Sequence, residues 1–289
     1  MNSIVEKAYA KLNLSLDIRG RHPDGYHEML MVMQTIDLCD DIKITLNDEG
    51  RFTAASNLGF LPTDGRNIAA AAAELFLKEA GMEGAGADIV MQKRIPVCAG
   101  MGGGSSDAAA VLRALNRLTG AGFSAEKLEA MGLELGSDVP FCVRGGTALA
   151  SGRGEKLAHA APLPDCDIVV CKPRFSISTP TLFRLVDGCK LRYHPDTRGL
   201  TAALESGSVA DVARRMYNVF ETVLPRRYVD ISAIKSAFMD FGALGTVMTG
   251  TGSAVFAIFD NSDTAAQARD ALRERYGTAY LAKPVGKVL

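Results

Sequence analysis

The feature that most constrains this chain is a glycine-rich stretch that runs directly into a helical pattern. Residues Pro96 to Asp107 read Pro-Val-Cys-Ala-Gly-Met-Gly-Gly-Gly-Ser-Ser-Asp, and apolar residues follow at helical spacing as far as Thr119-Gly120. Such a loop exposes its backbone N–H groups, and the dipole of the following helix adds partial positive charge. The pattern favours an anion site, with phosphate as the anion. The alternative is a loop that is rich in glycine only because backbones pack closely around it.

Two common phosphate-binding motifs do not fit this loop. No Gly-Lys-Ser/Thr sequence ends it, so it is not a P-loop, and Ser105 stands where the third glycine of G-x-G-x-x-G would be. The loop therefore lacks a lysine of its own. A cation that stabilises bound phosphates must come from another part of the chain or from a metal ion.

The composition narrows the classes of partner. A chain of 289 residues can bury a large core and form two domains, and its net charge of −1 argues against nucleic acid as the main partner. The six scattered cysteines and four histidines show no metal or disulfide spacing, which indicates reduced thiols. No apolar run is long enough to cross a bilayer, and the N-terminal residues do not resemble a signal peptide. We therefore expect a cytoplasmic enzyme or binding protein with no membrane partner.

The first residues alternate in the manner of a half-buried strand. Even-numbered positions from Ala8 to Ile18 are apolar, and most odd-numbered positions from Lys7 to Asp17 are polar. A period of two places Lys7, Tyr9, Lys11 and Asn13 on one face of that strand. This face is either solvated surface, which is the commoner case, or the wall of a site.

The middle of the chain mixes short strands and helices. Strands are predicted at Met29–Leu38 and Ile42–Leu46 after a turn at Gly20–Gly25, and a further strand at Ile89–Ile95 enters the glycine-rich loop. A helix is predicted at Val209–Phe220.

The last part of the chain, from Asp230 to Lys283, reads helix–strand–strand–helix–strand. This order predicts an antiparallel sheet with helices on one face, and hence an α+β fold. Glycines around Gly152 predict a domain boundary there, which divides the chain into residues 1–152 and 153–289.

The stretch from Pro96 to Ala109 resembles the second motif of the GHMP kinases, which transfer the γ-phosphoryl group of ATP to a small-molecule alcohol. Three further stretches, Ala10–Leu14, Asp24–His27 and Met248–Phe256, make the chain similar to those members whose alcohol is cytidine diphosphate methylerythritol, in non-mevalonate isoprenoid synthesis. The resemblance runs in order from about Lys7 to about Phe259.

Two positions depart from the family pattern. Met101 replaces an expected leucine, which is a volume-conserving change, and Tyr9 stands where such kinases often carry proline. Neither change removes a group that would take part in the chemistry.

The resemblance implies a two-domain GHMP-kinase fold of the α+β class. Residues 1–152 would form an ATP-binding domain like domain 2 of ribosomal protein S5, and residues 153–289 a ferredoxin-like substrate domain. The site would lie in the cleft between them. ATP is implied as co-substrate together with Mg²⁺, for which no protein ligand other than Ser106 is indicated. The resemblance leaves the oligomeric state open between monomer and homodimer.

The resemblance also implies roles for single residues. Lys11 would orient the attacking hydroxyl and stabilise charge, and Asp138 would accept the hydroxyl proton as general base. Taken alone, Asp138 is more simply a turn residue or helix cap. Contacts to ATP are implied at Pro96, Gly100, Gly102, Gly103, Gly104, Ser105, Ser106, Asp107, Asn67 and Lys93. Asn67 also has a complete explanation as the N-cap of a helix.

The second substrate would be held mainly through its base. Tyr26 and Phe183 would stack on the cytosine, and His27 would hydrogen-bond to its edge. Further contacts are implied at Asn13 and at a second glycine loop, Gly250, Gly252 and Ser253. That loop can equally be a plain turn between two strands.

Three functions follow from these patterns. The first is an ATP-dependent kinase of the cytidyl alcohol, the second a GHMP-type kinase of another small alcohol, and the third a nucleotide-binding regulator without catalysis. Tyr26 and His27 argue against the second, because mevalonate or homoserine has no base to stack. Lys11 and Asp138 argue against the third.

Overall fold

The computed structural model describes residues 2–21 and 25–289, and its strands form two sheets. The strands are β1 (Ser3–Arg21), β2 (His27–Asn47), β3 (Phe52–Ser56), β4 (Gly86–Gln92), β5 (Thr147–Gly152), β6 (Lys156–His159), β7 (Asp167–Cys171), β8 (Tyr217–Asn218), β9 (Gly245–Met248), β10 (Val255–Phe259), β11 (Ala279–Ala282) and β12 (Pro284–Val285). The helices are α1 (Ile68–Glu79), α2 (Gly103–Thr119), α3 (Ala125–Leu135), α4 (Val139–Arg144), α5 (Thr179–Asp187), α6 (Thr197–Glu205), α7 (Val209–Arg214), α8 (Val229–Asp240) and α9 (Ser262–Tyr276).

The first sheet is built around β2. This strand pairs along its length with β1, and its other edge pairs with β4, β5 and β12 in turn. The prediction of two separate strands, Met29–Leu38 and Ile42–Leu46, was therefore wrong in one respect, since both lie in a single 21-residue strand. The turn predicted before it falls partly on residues 22–24, which lie outside the described residues.

The apolar side chains of strand β1 do not all lie on the same face of the first sheet. Its ladder with β2 shifts register between Tyr9 and Lys11, and again between Asn13 and Ser15. Ala8 consequently belongs to the core under the helices, whereas Ala10, Leu12 and Leu14 belong to the core between the two sheets. The simple alternation predicted Lys7 beside Lys11 and Asn13, but Lys7 is exposed while the other two are buried. The irregular ladder separates them, because each shift changes which face a side chain joins.

Helices α1 to α4 cover one face of the first sheet. Asn67 and Ser124 cap α1 and α3, each accepting a hydrogen bond from a backbone N–H of the first turn. Helix α2 packs on β1 and on the neighbouring helices, and its alanines allow that close approach. The helix that follows the glycine-rich loop thus lies at the centre of the N-terminal half.

The second sheet has the strand order β11–β7–β10–β9, with every pair antiparallel. Helices α8 and α9 contact this sheet and each other, which confirms the predicted helix–strand–strand–helix–strand order and the ferredoxin-like layer. Its other face packs against the first sheet, since Ile168, Val170 and Phe256 share a core with Leu12 and Leu14.

The predicted domain boundary at 152/153 falls inside the hairpin of β5 and β6, which keeps the chain in the first sheet as far as His159. The chain enters the second sheet at Asp167. We keep the two-domain division as a proposal and place the change of sheet between His159 and Asp167.

The helix predicted at Val209–Phe220 was wrong beyond Arg214. Tyr217 and Asn218 instead form β8, which pairs with β1, and a 3₁₀ helix follows at Val219–Val223. The Asn218 amide donates to the carbonyls of Met248 and Gly250 at 2.7 and 2.8 Å. These tertiary hydrogen bonds override the local helical pattern.

Candidate active site

The glycine-rich loop leads into the N-terminus of α2. Gly102 is the N-cap residue, with φ of 67° and no side chain to cap the helix, so the N–H groups of the first turn face the open space in front of it. Gly100 also has a positive φ, and a Cβ there would come within 2.2 Å of the Thr249 carbonyl oxygen. Glycine is therefore required at both positions, for conformation and for space.

Two pockets meet at this loop. The smaller, about 420 Å³, lies over the helix start and is lined by Pro62, Asn67, Lys93, Pro96 and Asp107, among others. The larger, about 920 Å³, extends toward α5 and is lined from both halves of the chain. The residues common to both pockets are Cys98, Gly100, Gly102 and Ser105. A molecule in each pocket would thus approach the other across the glycine-rich loop.

Lys11 and Asp138 lie together where the larger pocket reaches the loop. The Lys11 Nζ is 3.4 Å from Asp138 Oδ2, and the lysine side chain is 5% exposed against 33% for the aspartate. A Cβ on Gly102 would come within 3.0 Å of the Lys11 side chain, so the glycine makes room for the lysine. Asp138 is the N-cap residue of α4, but its carboxylate makes no capping hydrogen bond. Asp138 lines the larger pocket, and 33% of its side chain is exposed there.

Asn13 and Thr249 fix the position of Lys11. The lysine Nζ donates to Asn13 Oδ1 at 2.8 Å, and the Asn13 N–H donates to Thr249 Oγ1 at 3.1 Å. Thr249 Oγ1 in turn donates to the Gly100 carbonyl at 3.2 Å. All of these side chains are buried. Thr249, which the sequence reasoning did not select, thus joins the lysine strand to the glycine-rich loop.

Lys93 stands on the other side of the loop with two buried carboxylates. Its Nζ is 2.5 Å from Asp40 Oδ2 and 2.5 Å from Asp107 Oδ2. Burial raises the pKa of Asp107 to about 7, and the Asp40 charge adds to this while Lys93 opposes it. The second oxygen of Asp107 has no hydrogen-bond partner among the described residues, and Asp107 lines the smaller pocket.

Asp40 was missed by the sequence reasoning, although the strand pattern contained a signal for it. Asp40, Ile42 and Ile44 share one phase of β2, so this acid stands at a position that the pattern otherwise fills with core residues. An acid in the apolar phase of a strand indicates a paired, buried carboxylate. Asp40 Oδ1 also accepts from the backbone N–H of Ile95 at 2.8 Å.

The remaining predicted ATP contacts divide into two groups. Pro96, Gly103, Gly104 and Ser105 line the smaller pocket, as does Asn67, whose side chain also caps α1 and donates to the Pro62 carbonyl at 2.9 Å. Ser106 lines neither pocket, and its hydroxyl donates to the Tyr9 carbonyl at 2.5 Å.

Three aromatic side chains line the far end of the larger pocket. The His27 and Phe183 rings stack at 4.6 Å between centroids, and the Arg153 guanidinium lies 3.7 Å from the centre of the Tyr26 ring. The His27 Nε2 is 2.7 Å from Asp187 Oδ1. This hydrogen bond holds the pKa of Asp187 below its usual range. Asp187 lies one helical turn after Phe183 in α5, a spacing that could have suggested a shared face.

The second glycine loop packs on the first. A Cβ on Gly250 would come within 2.8 Å of the Gly100 carbonyl oxygen, and the Ala254 N–H donates to the Ala99 carbonyl at 3.1 Å. Gly250 and Gly252 line the larger pocket, whereas the Ser253 hydroxyl is buried against the Phe175 carbonyl at 2.6 Å. The loop is thus more than a turn between strands, because it supports the floor where the two pockets meet.

The described part of the chain contains no cluster of three or more His, Cys, Asp or Glu side chains that could hold a metal ion. A Mg²⁺ ion coordinated by phosphate oxygens and water needs no such cluster. The capless start of α2 and the small pocket in front of it fit a nucleoside triphosphate that carries its own metal.

Models of two protein families match the chain. The GHMP kinases N terminal domain matches residues 67–146, and the GHMP kinases C terminal domain matches residues 200–278. Residues 67–146 contain the whole glycine-rich loop together with Lys93 and Asp138.

Curated relatives and solved structures agree with this assignment. Proteins of Bacillus pumilus and Bacillus subtilis, both named 4-diphosphocytidyl-2-C-methyl-D-erythritol kinase, are each 42% identical to the chain, with 98% of both sequences covered. A crystal structure of 4-(cytidine 5'-diphospho)-2C-methyl-D-erythritol kinase superposes with a TM-score of 0.80 at 33% identity, covering 98% of this chain and 100% of the other. A homoserine kinase from Cytophaga hutchinsonii has a TM-score of 0.76 at 19% identity, covering 99% and 96%, which shows the common fold alone.

None of the described helices is both long enough and apolar enough to span a membrane. All six cysteines are free thiols. Burial raises the pKa of Cys142, Cys166 and Cys171, each to about 12, which keeps these three protonated and unreactive.

Proposed function

Because the chain belongs to the GHMP kinases, and among them to the 4-diphosphocytidyl-2-C-methyl-D-erythritol kinases, we propose that it phosphorylates the 2-hydroxyl of 4-diphosphocytidyl-2-C-methyl-D-erythritol with ATP. The products are the 2-phosphate and ADP. The reaction is a step of non-mevalonate isoprenoid precursor synthesis.

The observation that carries this proposal is the meeting of two pockets at the glycine-rich loop. ATP would occupy the smaller pocket, with its phosphates at the start of α2, and the alcohol would occupy the larger one. Lys11 and Asp138 line the larger pocket next to the loop, so they would stand beside the hydroxyl and the transferred phosphoryl group. Transfer between two bound molecules needs this alignment more than covalent participation by the protein.

Each side chain has a defined task in the proposed reaction. Asp138 would accept the proton of the attacking hydroxyl, while the nearby ammonium of Lys11 would stabilise charge on the phosphoryl oxygens. Asn13 holds the lysine in place. Mg²⁺ would enter with ATP and offset the charge of its phosphates.

The base would be read at the other end of the larger pocket. Tyr26 and Phe183 would stack on the cytosine, and His27, fixed by Asp187, would hydrogen-bond to its edge. This proposal is supported by two existing contacts of the rings with planar groups, Tyr26 with the Arg153 guanidinium and Phe183 with the His27 imidazole.

We further propose that this chemistry takes place in the cytoplasm, with no nucleic-acid or membrane partner, in a monomer or homodimer. Small-angle scattering of the purified chain separates those two assemblies.

One assay tests the function. The protein is incubated with ATP, Mg²⁺ and either the cytidyl alcohol, mevalonate or homoserine, and release of ADP is measured. We expect release with the cytidyl alcohol alone. Release with mevalonate or homoserine instead would show a kinase of another alcohol, and nucleotide binding without turnover would show a regulator.

A further inference from the structure

Arg113 is a buried arginine in the middle of α2, away from both pockets. Its side chain is 2% exposed, and its guanidinium donates three hydrogen bonds. The acceptors are Glu6 Oε1 at 3.1 Å, the Lys7 carbonyl at 2.9 Å and the Cys142 carbonyl at 2.6 Å. Two of the three acceptors are therefore backbone groups of other elements.

Those two elements carry the proposed catalytic pair. Lys7 precedes Lys11 by four residues in β1, and Cys142 follows Asp138 by four residues in α4. The Cys142 N–H donates to the Asp138 carbonyl at 3.1 Å, so the peptide groups of this helical turn run directly from Arg113 to Asp138. Arg113 thus fixes the strand of the lysine and the helix of the aspartate to the helix that starts at the glycine-rich loop.

Core packing alone does not require a charge at this position. Burial is unfavourable for a guanidinium and lowers the pKa of Arg113 to about 10. A buried ion pair can often be replaced by apolar residues of similar volume without loss of stability. An apolar residue, however, cannot donate hydrogen bonds to the Lys7 and Cys142 carbonyls. The Cys142 carbonyl lies in the last turn of the short α4, so no following helical turn supplies a donor for it.

We propose that Arg113 is a positioning residue for phosphoryl transfer, which sets the separation of Lys11 and Asp138 by holding β1 and α4 against α2. The inference rests on the proposed function of Asp138 as the base. It differs from a purely structural role, because it requires Arg113 to act on turnover through that base.

The first test compares Arg113→Lys and Arg113→Met with the wild type. Lysine keeps the charge but cannot donate to all three acceptors, and methionine fills the space without any donor. We expect kcat with the cytidyl alcohol to fall about 10- to 100-fold, with KM for both substrates changed by less than about threefold. Arg117→Gln is the matched control, since Arg117 lies one turn later and pairs with the same Glu6 without donating to either carbonyl. It should keep wild-type kcat.

The second test repeats Arg113→Lys and Arg113→Met in an Asp138→Asn background. If Arg113 acts through the base, replacing Arg113 should lower the kcat that remains in the Asp138→Asn enzyme by less than about twofold. An equal loss of kcat in both backgrounds would overturn the proposal, as would an unchanged kcat in both single variants. Urea unfolding shows whether either variant fails to fold. If one of them does, the kcat values of the other variant in the two backgrounds decide whether Arg113 acts through the base.

A failure of the proposed function gives a different result. It appears as a wild-type protein that does not phosphorylate the cytidyl alcohol. If the wild type phosphorylates mevalonate or homoserine instead, the same cycle with that alcohol tests Arg113. If it turns over none of them, Arg113 has no phosphoryl transfer to support and the inference fails with the function.

Discussion

Two lysine–aspartate groups flank the glycine-rich loop, and they differ in closeness and in contact with solvent. Lys11 and Asp138 are 3.4 Å apart, and the aspartate is one-third exposed. Lys93 has two aspartates at 2.5 Å, Asp40 and Asp107, and all three side chains are at most 5% exposed. The same two residue types thus form one loose, accessible pair and one tight, enclosed cluster.

The difference separates a group that can exchange protons with a substrate from a group that holds structure. An exposed carboxylate at a moderate distance from its cation can receive a proton and release it to water. A buried carboxylate that loses its cation is left uncompensated, which is strongly unfavourable. Substitutions in the first group should therefore change turnover, and those in the second should change stability or nucleotide binding.

Asp138→Asn should have the largest effect. Asparagine keeps the shape but cannot accept the hydroxyl proton, so kcat should fall about 10²- to 10⁴-fold, while ATP binding and the urea midpoint stay near the wild-type values. Asp211→Asn serves as the control, because Asp211 is an exposed acid paired with Arg214 outside both pockets. A kcat within threefold of the wild type would remove Asp138 from the role of base.

Lys93→Met should mainly destabilise the fold. It leaves Asp40 and Asp107 buried together without a cation, at a cost of about 3–5 kcal/mol in the free energy of unfolding. The control is Lys43→Met, at an exposed position of β2. Urea unfolding measures the stability of both variants. If Lys93→Met lowers the free energy of unfolding by less than about 1 kcal/mol, the ion pairs of Lys93 with Asp40 and Asp107 do not hold the fold together.

The third prediction concerns pH and the tight cluster. The pKa of Asp107 is raised from 3.8 to about 7 by burial, so between these values the folded state keeps a proton that the unfolded state has released. Its contribution to the free energy of unfolding therefore falls as pH rises through this window, and becomes constant above it.

The difference in stability between the wild type and Asp107→Asn should accordingly decrease from about pH 5 to about pH 7 and level off by about pH 8. Asp64→Asn provides the contrast, because a hydrogen bond from Arg66 lowers the pKa of Asp64 and leaves it ionised throughout this range. The difference in the free energy of unfolding between the wild type and Asp64→Asn should therefore be independent of pH. If the difference in the free energy of unfolding between the wild type and Asp107→Asn instead grows with pH, the charge of Lys93, and not burial, determines the direction of the pKa shift of Asp107.

The smallest effect is expected at the exposed end of the larger pocket. Asp187→Asn weakens the hydrogen bond to His27 in a pair whose aspartate is 32% exposed. KM for the cytidyl alcohol should rise about three- to tenfold, with KM for ATP unchanged. Steady-state kinetics with each substrate varied in turn measures this, and a change confined to ATP would place His27 outside the alcohol site.

Local patterns were sufficient for many of the elements. The glycine run and the helical spacing after it predicted the loop and α2, and the order of elements after Asp230 predicted the second sheet. These features depend on backbone conformation and on periodic burial, which neighbouring residues largely determine. Resemblance of motifs then identified the family, which the relatives confirm.

Other features depended on contacts between distant residues. The helix expected as far as Phe220 ends early because the Asn218 amide donates to the Gly250 carbonyl of the second glycine loop, and Lys7 separates from Lys11 because the ladder of β1 is irregular. Asp40, Thr249 and Asp187 are held in the site by partners that lie 53 to 236 residues away in the chain, and no local pattern specifies such a partner.

 These distances along the chain are 53 residues between Asp40 and Lys93, 160 residues between Asp187 and His27, and 236 residues between Thr249 and Asn13. Each partner is therefore brought into contact by the tertiary fold and not by its neighbours in the sequence.

The sequence by itself determined that this chain has a phosphate-type glycine loop at a helix start, an α+β fold and the motifs of a GHMP kinase. Only the tertiary structure decided which lysine stands loosely beside an aspartate at the cleft and which is enclosed by two carboxylates. The physical reason is that the properties of an ionisable side chain depend on burial and on the charges around it. Both are set by packing between strands and helices that are far apart in the chain.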